Sequence, residues 1–167
     1  MADPGTAAPD AGPAIRLALY QPDIPQNTGA IMRLAACMGV GLDVIGPTGF
    51  VWDQPRMRRA GMDYRELAAV ARHASWEAFL TDRPQGRLVL LTTQGAEPYQ
   101  GFQYRCGDVL LLGRESAGVP FDVHQTADAR IRIPMMGHAR SLNVALSAAI
   151  VLGEALRQTQ SFPTEAE

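Results

Sequence analysis

Lysine is absent from the 167-residue chain, and all 15 basic residues are arginine. A Walker-type phosphate loop needs its lysine, and Schiff-base chemistry needs a lysine amine, so both are excluded. The simplest cause of an all-arginine chain is genome composition. Cysteine is scarce: Cys37 and Cys106 stand alone, without a CxxC pair, and no Cys or His pair has zinc spacing. A metal site is therefore not expected. Neither a signal-peptide core nor an apolar run of membrane length is present. This points to a cytoplasmic protein without a membrane span. Positive charge is also short. The net charge is −2, so a nucleic-acid partner would have to be met by a local arginine patch.

What remains is ordinary for a folded chain, with 47% hydrophobic and 19% charged residues. The length suits one domain with a core of its own. Residues 1–13 (MADPGTAAPDAGP) are small, proline-rich and aperiodic, and are expected to be a disordered tail. The residues from 161 onward (SFPTEAE) resemble them, leaving 14–160 as a single domain.

Within that domain, apolar runs alternate with helical periodicity. Ile15–Tyr20 (IRLALY), Leu42–Ile45, Arg87–Thr92 (RLVLLT), Asp108–Leu112 (DVLLL) and Ile131–Ile133 are candidate buried strands. A helix is predicted from about Thr28 to Met38, with Ile31, Leu34, Ala35 and Met38 on one stripe. Asn27 or Thr28 would cap its start and Gly39 would end it. Ser75–Leu80 begins a short helix with Ser75 as cap, and a last helix runs from about Ser141 to Gln158. Its core stripe is predicted as Leu142, Ala145, Leu146, Ala149, Leu152, Gly153 and Leu156. Further apolar residues outside that stripe imply burial on a second side, for which a subunit interface is a natural cover. Residues 46–61 form a long loop, with room for a helical turn after Pro55, and 63–74 fit strand or helix. Strand–helix alternation with strands apolar throughout is the pattern of an α/β protein with a mainly parallel sheet covered on both faces.

Three segments carry candidate chemistry. In Asn27-Thr28-Gly29-Ala30-Ile31-Met32-Arg33, Arg33 lies about 200° round the helix from Ile31 and so leaves the core face. By itself, that segment fits a capped helix with one solvated arginine. Leu111 to Pro120 (LLGRESAGVP) is a buried strand ending in a glycine-rich loop with a charged pair. Ligands of open α/β sheets bind at such carboxyl ends. Gly113 would permit close backbone approach, and Gly118 a turn with positive φ. A plain strand-to-helix turn is the bland alternative. Ile131 to Val144 (IRIPMMGHARSLNV) is another strand leading through a loop into a helix, with Ser141 or Asn143 as cap or ligand donor. Trp52 with Arg56, Arg58 and Arg59 could meet phosphates and stack on a base. The same arginines could equally pair with Asp53 and Asp63 in a solvated loop. His73, His124 and His138 are scattered, and none is expected to act in catalysis or metal binding.

Taken together, LYQPDIPQNTGAIMRLAACMG, GPTGFVWDQPRMRRAGMDY, LLGRESAGVP and IRIPMMGHARSLNVALSAAI resemble the SpoU (TrmH-like) branch of the SPOUT RNA methyltransferases. Most similar is the minimal type that methylates the ribose 2′-hydroxyl of the wobble nucleotide, position 34, in tRNA. The resemblance spans roughly Leu17 to Gln158. It implies a SPOUT fold whose C-terminal segment forms a deep trefoil knot, S-adenosyl-L-methionine bound in the knot loops, and a homodimer with active sites built across the interface. By motif it places cofactor contacts on Leu91, Gly113, Ile133, Ser141 and Leu142. It places catalytic function on Arg33, supported by Asn27 and Glu115, and RNA contact on Trp52, Arg56, Arg58, Arg59 and Arg140. It implies the anticodon stem-loop of tRNA as substrate. The chain departs from the family pattern at Ala145-Leu146, usually Ser-Asn, and at Gly153, usually tyrosine. Alternatives within the same fold are action on ribosomal RNA or another tRNA site, and a non-catalytic RNA-binding protein.

Overall fold

A computed structural model describes residues 14–53, 55, 70–95 and 97–164. Its strands are β1 (Arg16–Tyr20), β2 (Gly41–Ile45), β3 (Val70–His73), β4 (Leu88–Leu91), β5 (Glu97–Pro98), β6 (Val109–Leu112) and β7 (Ala129–Arg132). Its helices are α1 (Pro25–Met38), α2 (Trp76–Asp82), α3 (Phe121–Thr126) and α4 (Val144–Thr159). The strands form one seven-stranded sheet in the order β3-β2-β1-β6-β4-β7-β5. Each pairing is parallel.

Alternation along the strands divides the core into two layers. Leu17, Leu19, Val89, Leu110 and Leu112 face Ile31, Met32 and Ala35 of α1 and Val151, Leu152, Ala155 and Leu156 of α4. Their neighbours Ala18, Tyr20, Leu88, Leu90, Val109 and Leu111 face Trp76 and Phe79 of α2 and Val123 of α3. A strand covered on both faces has no polar side to show, which is why these runs are continuously apolar.

The strands appear where the apolar runs predicted them, with ends shifted by a residue or two; the last of them lies at Ala129–Arg132 instead of Ile131–Ile133. In the ambiguous 63–74 segment, Val70–His73 is strand, and 63–69 lie outside the described residues. β5 and α3 were not predicted. β5 is two residues long, and α3 buries only Val123, so neither carries a periodic signal.

Two helix readings need correction. α1 begins at Pro25, with Ile24 as a cap lacking a side-chain bond, instead of being capped by Asn27 or Thr28. Proline at the first helical position has φ already set and lacks an N–H that would go unpaired there. The side chain of Asn27 is thereby released for other partners. The predicted stop is found: Gly39 adopts φ 64° and closes the helix. α4 starts at Val144, capped by Asn143 through bonds from the N–H groups of Ala145 (2.9 Å) and Leu146 (3.2 Å), so Ser141 lies outside the helix. Its buried face is Ser147, Ala148, Val151, Leu152, Ala155 and Leu156. Of the predicted stripe only Leu152 and Leu156 are fully buried, while Leu142, Leu146 and Ala149 are exposed. A helix apolar nearly all round does not reveal by periodicity which face turns inward.

Candidate active site

The carboxyl ends of β4, β6 and β7 open into a cavity of about 520 Å³, a size suited to a cofactor-sized ligand. Leu91, Thr92 and Thr93 line it after β4, the Gly113–Val119 loop after β6, and Ile133, Met135 and Ser141–Val144 on the way into α4. Ile24 and Asn27 close it from the start of α1. Apolar side chains, the hydroxyls of Thr92, Thr93 and Ser141, and the charged Arg114 and Glu115 share its lining.

The β6 loop is held by its own backbone. Arg114 and Gly118 exchange two N–H···O bonds, of 3.0 and 2.9 Å, and Gly118 has φ 64°. A Cβ on Gly113 would stand 2.7 Å from the Gly118 carbonyl carbon. The close approach that requires glycine at 113 is therefore to Gly118 within the same loop. Arg114 donates to the Gln21 side-chain oxygen, and its guanidinium lies 5.9 Å from the Tyr20 ring centroid.

Glu115 fixes loop geometry. Its Oε2 accepts from the backbone N–H of Asp23 (3.0 Å), and Asp23 Oδ1 accepts from the backbone N–H of Glu115 (3.0 Å). Ser116 Oγ donates to the other Asp23 oxygen. Asn27 Nδ2 approaches Glu115 Oε1 at 3.4 Å, and Asn27 Oδ1 accepts from Asn143 Nδ2 at 3.0 Å. Asn27, Glu115 and Asn143 thus form one polar chain joining α1, the β6 loop and the α4 cap. Burial, and then the neighbouring Asp23 carboxylate, raise the Glu115 pKa. The hydrogen bonds to Asp23, first from Glu115 and then from Ser116, hold its carboxyl down at about 2.

Leu91, Gly113, Ile133, Ser141 and Leu142 all line the cavity, together with Asn27 and Glu115. Arg33 does not: it lies further along α1 on an exposed face. Arg140 is exposed beside Ser141. The half-buried Trp52 packs against the core. Its ring stacks on Phe50 (6.2 Å between centroids), and the Arg72 guanidinium lies 4.6 Å from its centroid. Arg56, Arg58 and Arg59 lie outside the described residues. His73 is structural in its contacts, with Nε2 2.8 Å from the buried Asp43 carboxylate.

Two further residues stand here, Asp23, which the sequence reading does not name, and His124, which it does not expect to act. Asp23, between two prolines, gives no local sign of a partner 92 positions away. His124 lines the cavity wall, and its Nδ1 faces Arg130 Nε at 3.2 Å. Arginine can only donate, so Nδ1 is the acceptor. Among the described residues, no group of three His, Cys, Asp or Glu could hold a metal ion, and no helix is long and apolar enough to cross a membrane.

Comparison with known proteins identifies this architecture. The family whose model matches residues 14–153 is the SpoU rRNA Methylase family. This chain belongs to the SpoU methylase family. One curated relative, the tRNA (cytidine(34)-2′-O)-methyltransferase of Beijerinckia indica, is 56% identical over 85% of this chain and 90% of its own length. A solved structure described as giving insight into 2-OH methylation of C/U34 on tRNA superposes with TM-score 0.80. It is 40% identical, and the match covers 87% of this chain and 95% of that one. An AdoMet-bound rRNA methyltransferase from Sinorhizobium meliloti superposes with TM-score 0.77 at 32% identity, over 87% of this chain and 57% of that one.

Proposed function

We propose that this SpoU methylase transfers a methyl group from S-adenosyl-L-methionine to the ribose 2′-hydroxyl of nucleotide 34 in tRNA. The observation that carries the reading is the match, over nearly the whole length of both chains, to a relative named for that reaction. The cavity supports it. It lies where an open parallel sheet binds ligands, and its wall carries a carboxylate, Glu115, suited to face a cationic sulfonium.

S-adenosyl-L-methionine supplies the activated methyl. Leu91, Ile133 and Leu142 would enclose the adenine, with the backbone of Ile133 and Leu142 available to its polar edge. Gly113 keeps its loop low enough to leave room, and Ser141 offers a hydroxyl. Arg33 is exposed and outside the cavity wall of its own chain, so in this reading it serves the site of a second copy. A guanidinium is a permanent cation, and its function is to orient the ribose or phosphate and to stabilise charge developing on the oxygen.

The homodimer is supported by the outward face of α4, where Leu146 is 56% and Ile150 38% exposed beside the exposed Leu142. The departure from the family pattern at Leu146 adds to that apolar face. The anticodon stem-loop as substrate, a cytoplasmic setting and a C-terminal segment threaded as a trefoil knot belong to the same reading. So do residues 14–160 as its single domain, with 1–13 and 161–167 as tails.

Arg33→Ala should abolish methyl transfer while leaving S-adenosylhomocysteine affinity within a few-fold of the unsubstituted protein. Near-normal turnover would refute the role of Arg33. Mapping 2′-O-methylated nucleotides in RNA from cells with and without the protein tests the substrate. Loss at tRNA position 34 is expected, and loss confined to ribosomal RNA would replace tRNA with rRNA as the substrate.

A further inference from the structure

Transfer to a hydroxyl releases a proton, and an always-charged guanidinium has no place for it. Among the cavity-lining residues, Glu115 offers a carboxylate, and it is held in position from two sides. The backbone N–H of Asp23 and the side-chain amide of Asn27 reach its two oxygens. Asp23 is locked in turn by Ser116 and by the Glu115 N–H. We propose that Glu115 is the proton acceptor of the reaction and that Asp23 is the positioning residue that clamps it at the cavity wall as a fixed neighbouring anion.

The inference rests on the methyl-transfer reading above. In the step, the 2′-hydroxyl oxygen forms its bond to the methyl carbon as the carbon–sulfur bond breaks. That electron pair stays on sulfur, which becomes a neutral thioether, and the hydroxyl proton passes to a Glu115 oxygen. Charge is conserved: the sulfonium cation and the carboxylate anion both become neutral. Proton transfer of this kind is worth about 10²- to 10⁴-fold in rate.

The groups facing Glu115 are few. Asp23 comes from the segment before α1, Asn27 from α1, and Arg114 and Ser116 from its own loop. Arg114 is turned toward Gln21 and Tyr20, so Asp23 is the charged group hydrogen-bonded to it. Burial and the Asp23 carboxylate both act to make Glu115 more basic than an ordinary glutamate.

The test uses the full-length chain. Turnover is measured from pH 5 to 9 with saturating S-adenosyl-L-methionine and tRNA, and S-adenosylhomocysteine binding is followed by calorimetry. Glu115→Gln should lower turnover at least about 100-fold with binding changed no more than about three-fold. Asp23→Asn removes the neighbouring anion and should move the acidic limb of the pH–rate profile to lower pH, which a purely structural loss would not do. Carboxyl ¹³C titration of the unsubstituted chain needs no variant and should place Glu115 above the ordinary glutamate value. Retention of turnover within ten-fold in Glu115→Gln, a parallel loss of binding and turnover, an unmoved acidic limb, or an ordinary Glu115 titration would each overturn the proposal. Failure of the unsubstituted protein to methylate any RNA would instead remove the reading beneath it.

Discussion

Asn143 has two roles that a pair of substitutions separates. Its Oδ1 caps α4 through the N–H groups of Ala145 and Leu146, and its Nδ2 donates to Asn27 in the polar chain that ends at Glu115. Asn143→Ala removes both. The lost cap costs about 1 kcal/mol, within a 0.5–2 range. The Asn27 bond is exposed, so water replaces it and its loss adds at most about 0.5 kcal/mol. The expected total of about 1–2 kcal/mol corresponds to roughly 3–6 °C in Tm for a domain of this length. Asn143→Asp keeps the acceptor and places a negative charge at a helix N-terminus, favourable by about 0.5 kcal/mol. It removes the donor to Asn27 and sets two oxygens against each other. Urea denaturation at fixed protein concentration should therefore rank Asn143→Asp close to the unsubstituted protein and Asn143→Ala clearly below, while methyl transfer falls in both. Equal destabilisation of the two variants, or an Asn143→Ala midpoint unchanged, would show that the cap does not hold α4 as described.

Three further outcomes follow from the geometry. Gly113→Ala sets a Cβ 2.7 Å from backbone, a clash no rotamer relieves. It should cost about 1–3 kcal/mol and weaken S-adenosylhomocysteine binding measurably by calorimetry. Leu146→Glu places charge on an exposed apolar face and should shift the protein toward monomer in sedimentation, with little change in circular dichroism. Glu115 has a folded pKa raised above its unfolded one, so its contribution favours folding below the unfolded value and is lost as pH rises through the folded value. Glu115→Gln should consequently raise the urea midpoint at neutral pH relative to the unsubstituted protein, and this gain should shrink as the pH is lowered toward 4.

The sheet was legible because a strand buried on both faces leaves a continuous apolar run, as in LALY of β1 and VLLL of β6. The end of α1 was legible because glycine alone tolerates the left-handed turn at position 39 without strain. The start of α1 was misread because Pro25 competes with Asn27 for the same signal and wins by its fixed φ. The inward face of α4 was hidden by apolar residues on its opposite side. The motifs pointed to Asn27, Gly113 and Glu115, but not to what joins them. The Asp23–Glu115 clamp spans 92 residues and the Asn27–Asn143 bond 116, and no local pattern encodes contacts at that separation.

That separation also sets a timetable. Asn27, Glu115 and Asn143 are made in that order, so the polar link between them closes only once α4 has docked. Contacts so distant in sequence make that closing step slow compared with forming either helix.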